Sequence, residues 1–154
     1  MGNVLRRDDG FGVEIARRLA AGGELPPGVT VVEVGIGGIH LVQELMGRYD
    51  ALIIIDAVER DSQPGTVHLL EAEVPDLAEW SEEDRRDFLA DMHYATPSKA
   101  LILARAIGVL PRKVYIVGCQ PEVYEVYGVG LSDTVSGALE QAVARVRELV
   151  ASGV

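Results

Sequence analysis

Ala51-Leu52-Ile53-Ile54-Ile55-Asp56 is the most apolar run in the chain, and a carboxylate ends it. The run has no polar face, so it belongs to a strand covered on both sides by helices rather than to a sheet with one wet face. Its neighbours agree. Upstream, Gly10 to Ala21 has helical spacing, with Val13, Ala16 and Ala20 in one stripe that Ile15 and Leu19 widen. Gly22-Gly23 ends this helix and Pro26-Pro27-Gly28 turns the chain. The β-branched stretch Val29 to Val34 reads as a strand, and Ile39 to Met46 as a helix after the loop Gly35-Ile36-Gly37-Gly38. Downstream, Pro64-Gly65 introduces a strand over Thr66 to Leu70. A helix follows from Pro97 to Ile107, with Leu101 and Ala104 inward. Val114 to Val117 is another buried strand, and Ser132 caps a closing helix to Val150 with Asp133 in its first turn. Buried strands alternating with helices imply an α/β sheet with helices on both faces, and sites gather beyond the carboxyl ends of such strands. Asp56 and Gly118-Cys119-Gln120-Pro121 both stand there.

The chain has 154 residues, 48% hydrophobic and 25% charged, with 24 acids against 14 bases and a net charge of −10. This length supports one domain spanning residues 1–154, burying roughly 70% of its extended-chain surface. The negative balance argues against nucleic acid and against an anionic membrane surface. No apolar run is long enough to cross a bilayer, and the first residues lack the apolar core of a signal peptide, so a cytoplasmic protein is expected. With Cys119 the sole cysteine, no internal disulfide or cysteine-cluster metal site can form. Residues 71–91 hold nine acids and two bases, most of the net charge. They read as a solvated loop and short helix pinned by Trp80, Phe88 and Leu89, with a lid or docking surface for a basic segment as the sharper alternative.

Three places can carry chemistry. Asp8-Asp9 stands where the first helix begins, which suits capping as well as catalysis. Asp56, closing an apolar strand, must be hydrogen-bonded, metal-bound or neutral. His93 lies between the acidic region and the Pro97 helix; alone it reads as a surface or capping residue. His40 and His68 have weaker claims, one beginning a helix and the other lying within a strand. A Cys119–His93 nucleophilic pair competes with a small buried thiol at a strand end. Asp9, Asp56 and His93 together would make an incomplete O,O,N set for a divalent first-row metal. No His-Glu-x-x-His, P-loop or Gly-x-Ser-x-Gly signature occurs, and Gly35–Gly38 matches a phosphate cradle only loosely.

The segments Gly2-Asn3-Val4-Leu5-Arg6-Arg7-Asp8-Asp9-Gly10-Phe11-Gly12 and Tyr49-Asp50-Ala51-Leu52-Ile53-Ile54-Ile55-Asp56-Ala57-Val58 resemble the hydrogenase maturation proteases. Pro64-Gly65-Thr66, His93, Val117-Gly118-Cys119-Gln120-Pro121-Glu122 and Gly130-Leu131-Ser132 extend the resemblance along nearly the whole chain. These endopeptidases trim the C-terminus of nickel–iron hydrogenase large-subunit precursors. The resemblance implies an α/β/α sandwich around a small, mostly parallel sheet and an aspartyl-type peptidase activity. It implies a metal-contacting trio falling on Asp9, Asp56 and His93. It further implies that nickel arrives inside the precursor, so that no metal is tightly bound at rest. Whether the metal polarises a carbonyl or activates water, or a carboxylate acts as general base, stays open at this level.

Two departures stand out. Members of the family carry a short apolar strand ending in Gly-x-Gly-Asn, whereas this chain starts inside that motif. A first strand missing from this chain is therefore expected, with the true start upstream or an impaired site. Gly35-Ile36-Gly37-Gly38 also replaces the Asp-Gly-Gly-Thr-like loop of many relatives, a loop that bears on the choice of precursor. Two alternatives compete: a non-proteolytic paralogue that binds a hydrogenase subunit, and a metal-dependent hydrolase of small molecules.

Overall fold

The computed structural model describes residues 1–23, 25–90 and 96–154. Three strands, β1 (Ala51–Ala57), β2 (Val67–Glu71) and β3 (Lys113–Cys119), form one sheet in the order β1-β3-β2. The helices are α1 (Phe11–Ala21), α2 (Gly38–Leu45), α3 (Glu82–Ala90), α4 (Pro97–Ala106), α5 (Asp133–Gly137) and α6 (Leu139–Ala151).

The apolar run is a strand covered on both sides. Ile53 and Ile55 turn towards a cluster built on Phe11, Ile15 and Leu19 of α1 and Leu139, Val143 and Val146 of α6. Leu52 and Ile54 turn the other way, onto Leu41 and Leu45 of α2 and Ala100, Leu101 and Ala104 of α4. β3 divides likewise, with Val117 and Cys119 on the first side and Val114 and Ile116 on the second. This is the two-residue alternation of a pleated strand applied to two dry faces.

The sheet is mixed, which corrects the expectation of a mostly parallel one. β1 runs parallel to β3, with Asp56 opposite Gly118, while β2 runs antiparallel to β3, with His68 opposite Gly118. The reason lies in the connection. Residues 58–66 join β1 to β2 without a helix, and a parallel return needs a crossover of about a dozen residues or more.

Val29–Val34 forms no strand. Its side chains still separate to the two faces, Val31 to the α1–α6 cluster and Val34 to the α2–α4 cluster. Its backbone has no ladder partner, because β3 occupies one edge of β1 and no described strand pairs with the other. A β-branched composition fits a pleated surface but supplies no neighbouring backbone. At the junction the Met1 amino group donates to the Ile55 carbonyl, and Gly2 N–H donates to Gly35 O at 3.0 Å.

Local signals at helix starts hold. The Thr96 hydroxyl accepts from Lys99 N–H at 3.3 Å, and the Ser132 hydroxyl accepts from Val135 N–H at 3.3 Å. The closing helix is nevertheless two pieces, since the chain breaks at Ala138 between α5 and α6. In the acidic region Phe88 is buried beside Leu77 and Ile102, and the Trp80 and Phe88 rings meet edge to face at 5.6 Å. Leu89, expected to help pin this helix, is exposed. No described helix is long and apolar enough to cross a membrane.

Candidate functional site

Two elements converge at the carboxyl end of β1. The first is the turn over residues 2–10, whose last part is a 3-10 helix (Arg7–Gly10) leading into α1. The second is Asp56 itself, the penultimate residue of β1. Glycines allow the approach. Gly2 has φ +118°, and a Cβ there would fall on the Asp9 carbonyl and stand 3.4 Å from Asp56 Oδ1. At Gly12 a side chain would collide with the Ile55 carbonyl, so only glycine lets the first turn of α1 lie against β1.

Asp9 and Asp56 are thereby brought to one junction. Asp9 is half-buried, and its Oδ2 accepts from Asn3 N–H at 3.0 Å. Among the described residues Asp56 Oδ1 accepts from its own neighbour, Ala57 N–H, at 3.0 Å. Burial pushes the Asp56 carboxyl up to about 6. The Met1 ammonium pulls it down, the Asp9 carboxylate pushes it up, and the Ala57 bond pulls it down. A carboxyl whose pKa lies near neutrality exchanges a proton readily and gains from a nearby cation. His93, the third expected member, lies outside the described residues. Among the described residues no three His, Cys, Asp or Glu side chains are grouped to hold a metal.

The adjacent carboxylates divide the work. Among the described residues neither Asp8 nor Asp9 accepts from the first N–H groups of the 3-10 turn or of α1, whose N-cap residues Arg6 and Gly10 make no side-chain capping bond. Asp8 is fully buried and turned away from Asp9. Its Oδ1 accepts from Ser132 N–H at 2.6 Å. Its Oδ2 accepts from Glu122 N–H at 2.9 Å, Val123 N–H at 2.8 Å and the Ser132 hydroxyl at 3.0 Å. One side chain thus ties the turn bearing Asp9 to the loop after β3 and to the start of α5.

The other candidates fall away from the junction. His68 sits on the far side of Gly118, and Val58 fills the place a Gly118 side chain would take. Its Nε2 is 2.8 Å from the Ser62 hydroxyl. His40 is exposed on α2. Cys119 is buried, and burial followed by the Asp8 charge pushes its thiol up to about 11, which makes it a core residue and a poor nucleophile. Gln120, which the sequence places at this strand end without a role of its own, has one in the fold. Gln120 is buried, and its Oε1 accepts from Arg60 N–H at 2.7 Å and from Ser62 N–H at 3.4 Å, fixing the turn that follows β1. Its signal was a lone amide between Cys119 and Pro121 at a strand end.

Residues 13–149 match the family described as hydrogenase maturation protease. The hydrogenase expression/formation protein HoxM of Cupriavidus necator is 32% identical over 151 residues, covering 97% of this chain and 71% of that protein. The hydrogenase 2 maturation protease of Escherichia coli is 35% identical over 154 residues, covering 96% and 88%. Among solved structures, the hydrogenase maturating endopeptidase HybD from E. coli superposes with a TM-score of 0.77 at 30% identity, covering 99% of this chain and 89% of that one. Sequence and fold agree over almost the full length: the chain belongs to the hydrogenase maturation protease family, and it is a peptidase.

Proposed function

We propose that this chain removes the C-terminal extension of a nickel–iron hydrogenase large-subunit precursor and acts on the nickel-loaded form. Asp9, Asp56 and His93 are the groups we assign to the substrate's nickel. The observation that carries this reading is the approach of Asp56 to Asp9 with the Asp56 carboxyl held near neutrality. Two carboxylates and an imidazole are hard and borderline donors suited to completing the shell of a divalent first-row ion. A cation arriving at this pair favours the ionised form of Asp56 and relieves the repulsion between the two carboxylates. In this reading the nickel belongs to the precursor, and the protease holds no resident metal. The trio distinguishes loaded from unloaded substrate and sets the C-terminal segment for hydrolysis.

The test is incubation with nickel-loaded and nickel-free precursor, followed by intact mass measurement of the large subunit. Shortening of the loaded form alone is expected. Equal shortening of both would remove nickel from the recognition step, and no shortening of either would remove the substrate assignment. His93→Ala is expected to slow processing of the loaded precursor by about 100-fold or more while leaving the thermal melt in place. Full cleavage by that variant would sink the assignment of His93.

A further inference from the structure

The Asp8 anchor and the turn that bears Asp9 also hold up a surface which the proposed chemistry leaves unused. Gly128 pairs with Arg6 in an isolated parallel bridge. Its N–H donates to Leu5 O at 2.9 Å, and its carbonyl accepts from Arg7 N–H at 3.1 Å. On this joint stand Leu5, Val126, Tyr127 and Val129, exposed by 57%, 60%, 84% and 76%. Large apolar side chains grouped in the open and rimmed by polar ones mark an interaction site. Tyr and Arg are also the residues that most often dominate such contacts.

The surface is preorganised. Asp8 fixes residues 122 and 123 at one end of its loop and Ser132 at the other. Asn3 Oδ1 accepts from Leu5 N–H at 3.0 Å, while Asn3 N–H is held by Asp9. A partner seated here therefore loses little binding energy to ordering the protein. It also rests on the same hydrogen-bonded turn as Asp9.

Charge indicates the occupant. Arg6 and Arg7 flank this joint, Arg7 lying over Gly128, and neither forms an ion pair among the described residues. Glu125, next to Val126 in the chain, is exposed. Two copies of a chain carrying −10 repel one another, which disfavours self-association through this surface. We propose that the Leu5–Val126–Tyr127–Val129 surface docks an apolar segment of the precursor flanked by carboxylates that meet Arg6 and Arg7. This rests on the endopeptidase reading above and names the part of the substrate that is gripped away from the nickel.

The experiment uses the full chain and nickel-loaded precursor. Tyr127→Ser combined with Val129→Ser alters only exposed side chains. It is expected to raise KM about tenfold with kcat within twofold and the thermal melt unchanged. The KM of the unaltered protein is expected to rise with salt, and Arg6→Glu to raise KM similarly and to weaken that salt dependence. An unchanged KM in the double variant would overturn the docking surface while leaving the peptidase reading intact. So would a dimer in sedimentation that the double variant converts to monomer, since the occupant would then be a second copy. Failure of the unaltered protein to shorten nickel-loaded precursor would instead remove the endopeptidase reading, and this occupant with it.

Discussion

Asp8→Ala is expected to lower the free energy of unfolding by about 4 kcal/mol. The residue is fully buried, and its removal strands the N–H groups of Glu122, Val123 and Ser132 without their acceptor. Asp8→Asn is expected to cost less, about 2 kcal/mol. Its amide oxygen can serve the three donors now on Oδ2, but its NH2 then faces the Ser132 N–H that Oδ1 accepts. Burial alone would raise the Asp8 pKa, yet the Ser132, Val123 and Glu122 N–H groups outweigh it and hold the carboxyl below its ordinary value of 3.8. A depressed folded-state value means that the carboxylate stabilises the fold above pH 3.8. That contribution is lost as pH falls through the folded value. Urea unfolding at pH 7 measures the difference, and a loss under 1 kcal/mol for the alanine variant would show that the anchor carries little. The same variant leaves the turn bearing Asp9 joined to the loop after β3 by backbone bonds alone, so processing should fall with stability.

Asp56→Asn should separate stability from activity. Processing of nickel-loaded precursor is expected to fall by about 100-fold or more, because an amide is a poorer ligand for a divalent cation than a carboxylate. The resting protein should become more stable. Burial raises the Asp56 pKa from 3.8 to about 6, so at pH 7 the fold bears the cost of a buried charge that the unfolded chain does not. The raised value means that the contribution of Asp56 to stability is most favourable below pH 3.8 and is lost as pH rises through about 6. An uncharged amide escapes that loss, giving a gain of about 1–3 kcal/mol at pH 7 that disappears towards pH 4. The Met1 ammonium, which loses an opposite charge in the variant, sets the lower end of that range. Thermal melts across this pH range give the stability, and mass measurement of the large subunit gives the activity. A variant less stable than the parent at pH 7 would show that Asp56 is a structural carboxylate and not a strained functional one.

Much of the layering is legible in the sequence. The run from Ala51 to Ile55 required cover on both faces, and α1 with α6 and α2 with α4 provide it. Leu101 and Ala104 are buried where their spacing placed them, and Ser132 caps its helix. The family resemblance was equally visible, carried by the segments around Asp9 and Asp56. The direction of β2 and the fate of Val29–Val34 were missed for one reason: strand pairing depends on which backbone lies alongside. The length of the link from β1 to β2 was the available clue to an antiparallel return.

The site divides in the same way. Sequence alone determined that carboxylates stand at the start of α1 and the end of β1, because strand ends and helix starts are written in local patterns of polarity. Only the tertiary structure decided which carboxylate does what. Asp8 and Asp9 carry the same side chain in the same local context. Asp8 is the buried anchor because its acceptors point at N–H groups supplied by residues 122, 123 and 132, while Asp9 is turned towards Asn3 and the end of β1. Gln120 and Cys119 were settled likewise, by the loop and core that closed around them. Periodicity is a property of neighbours along the chain, whereas a hydrogen-bond partner is a property of neighbours in space.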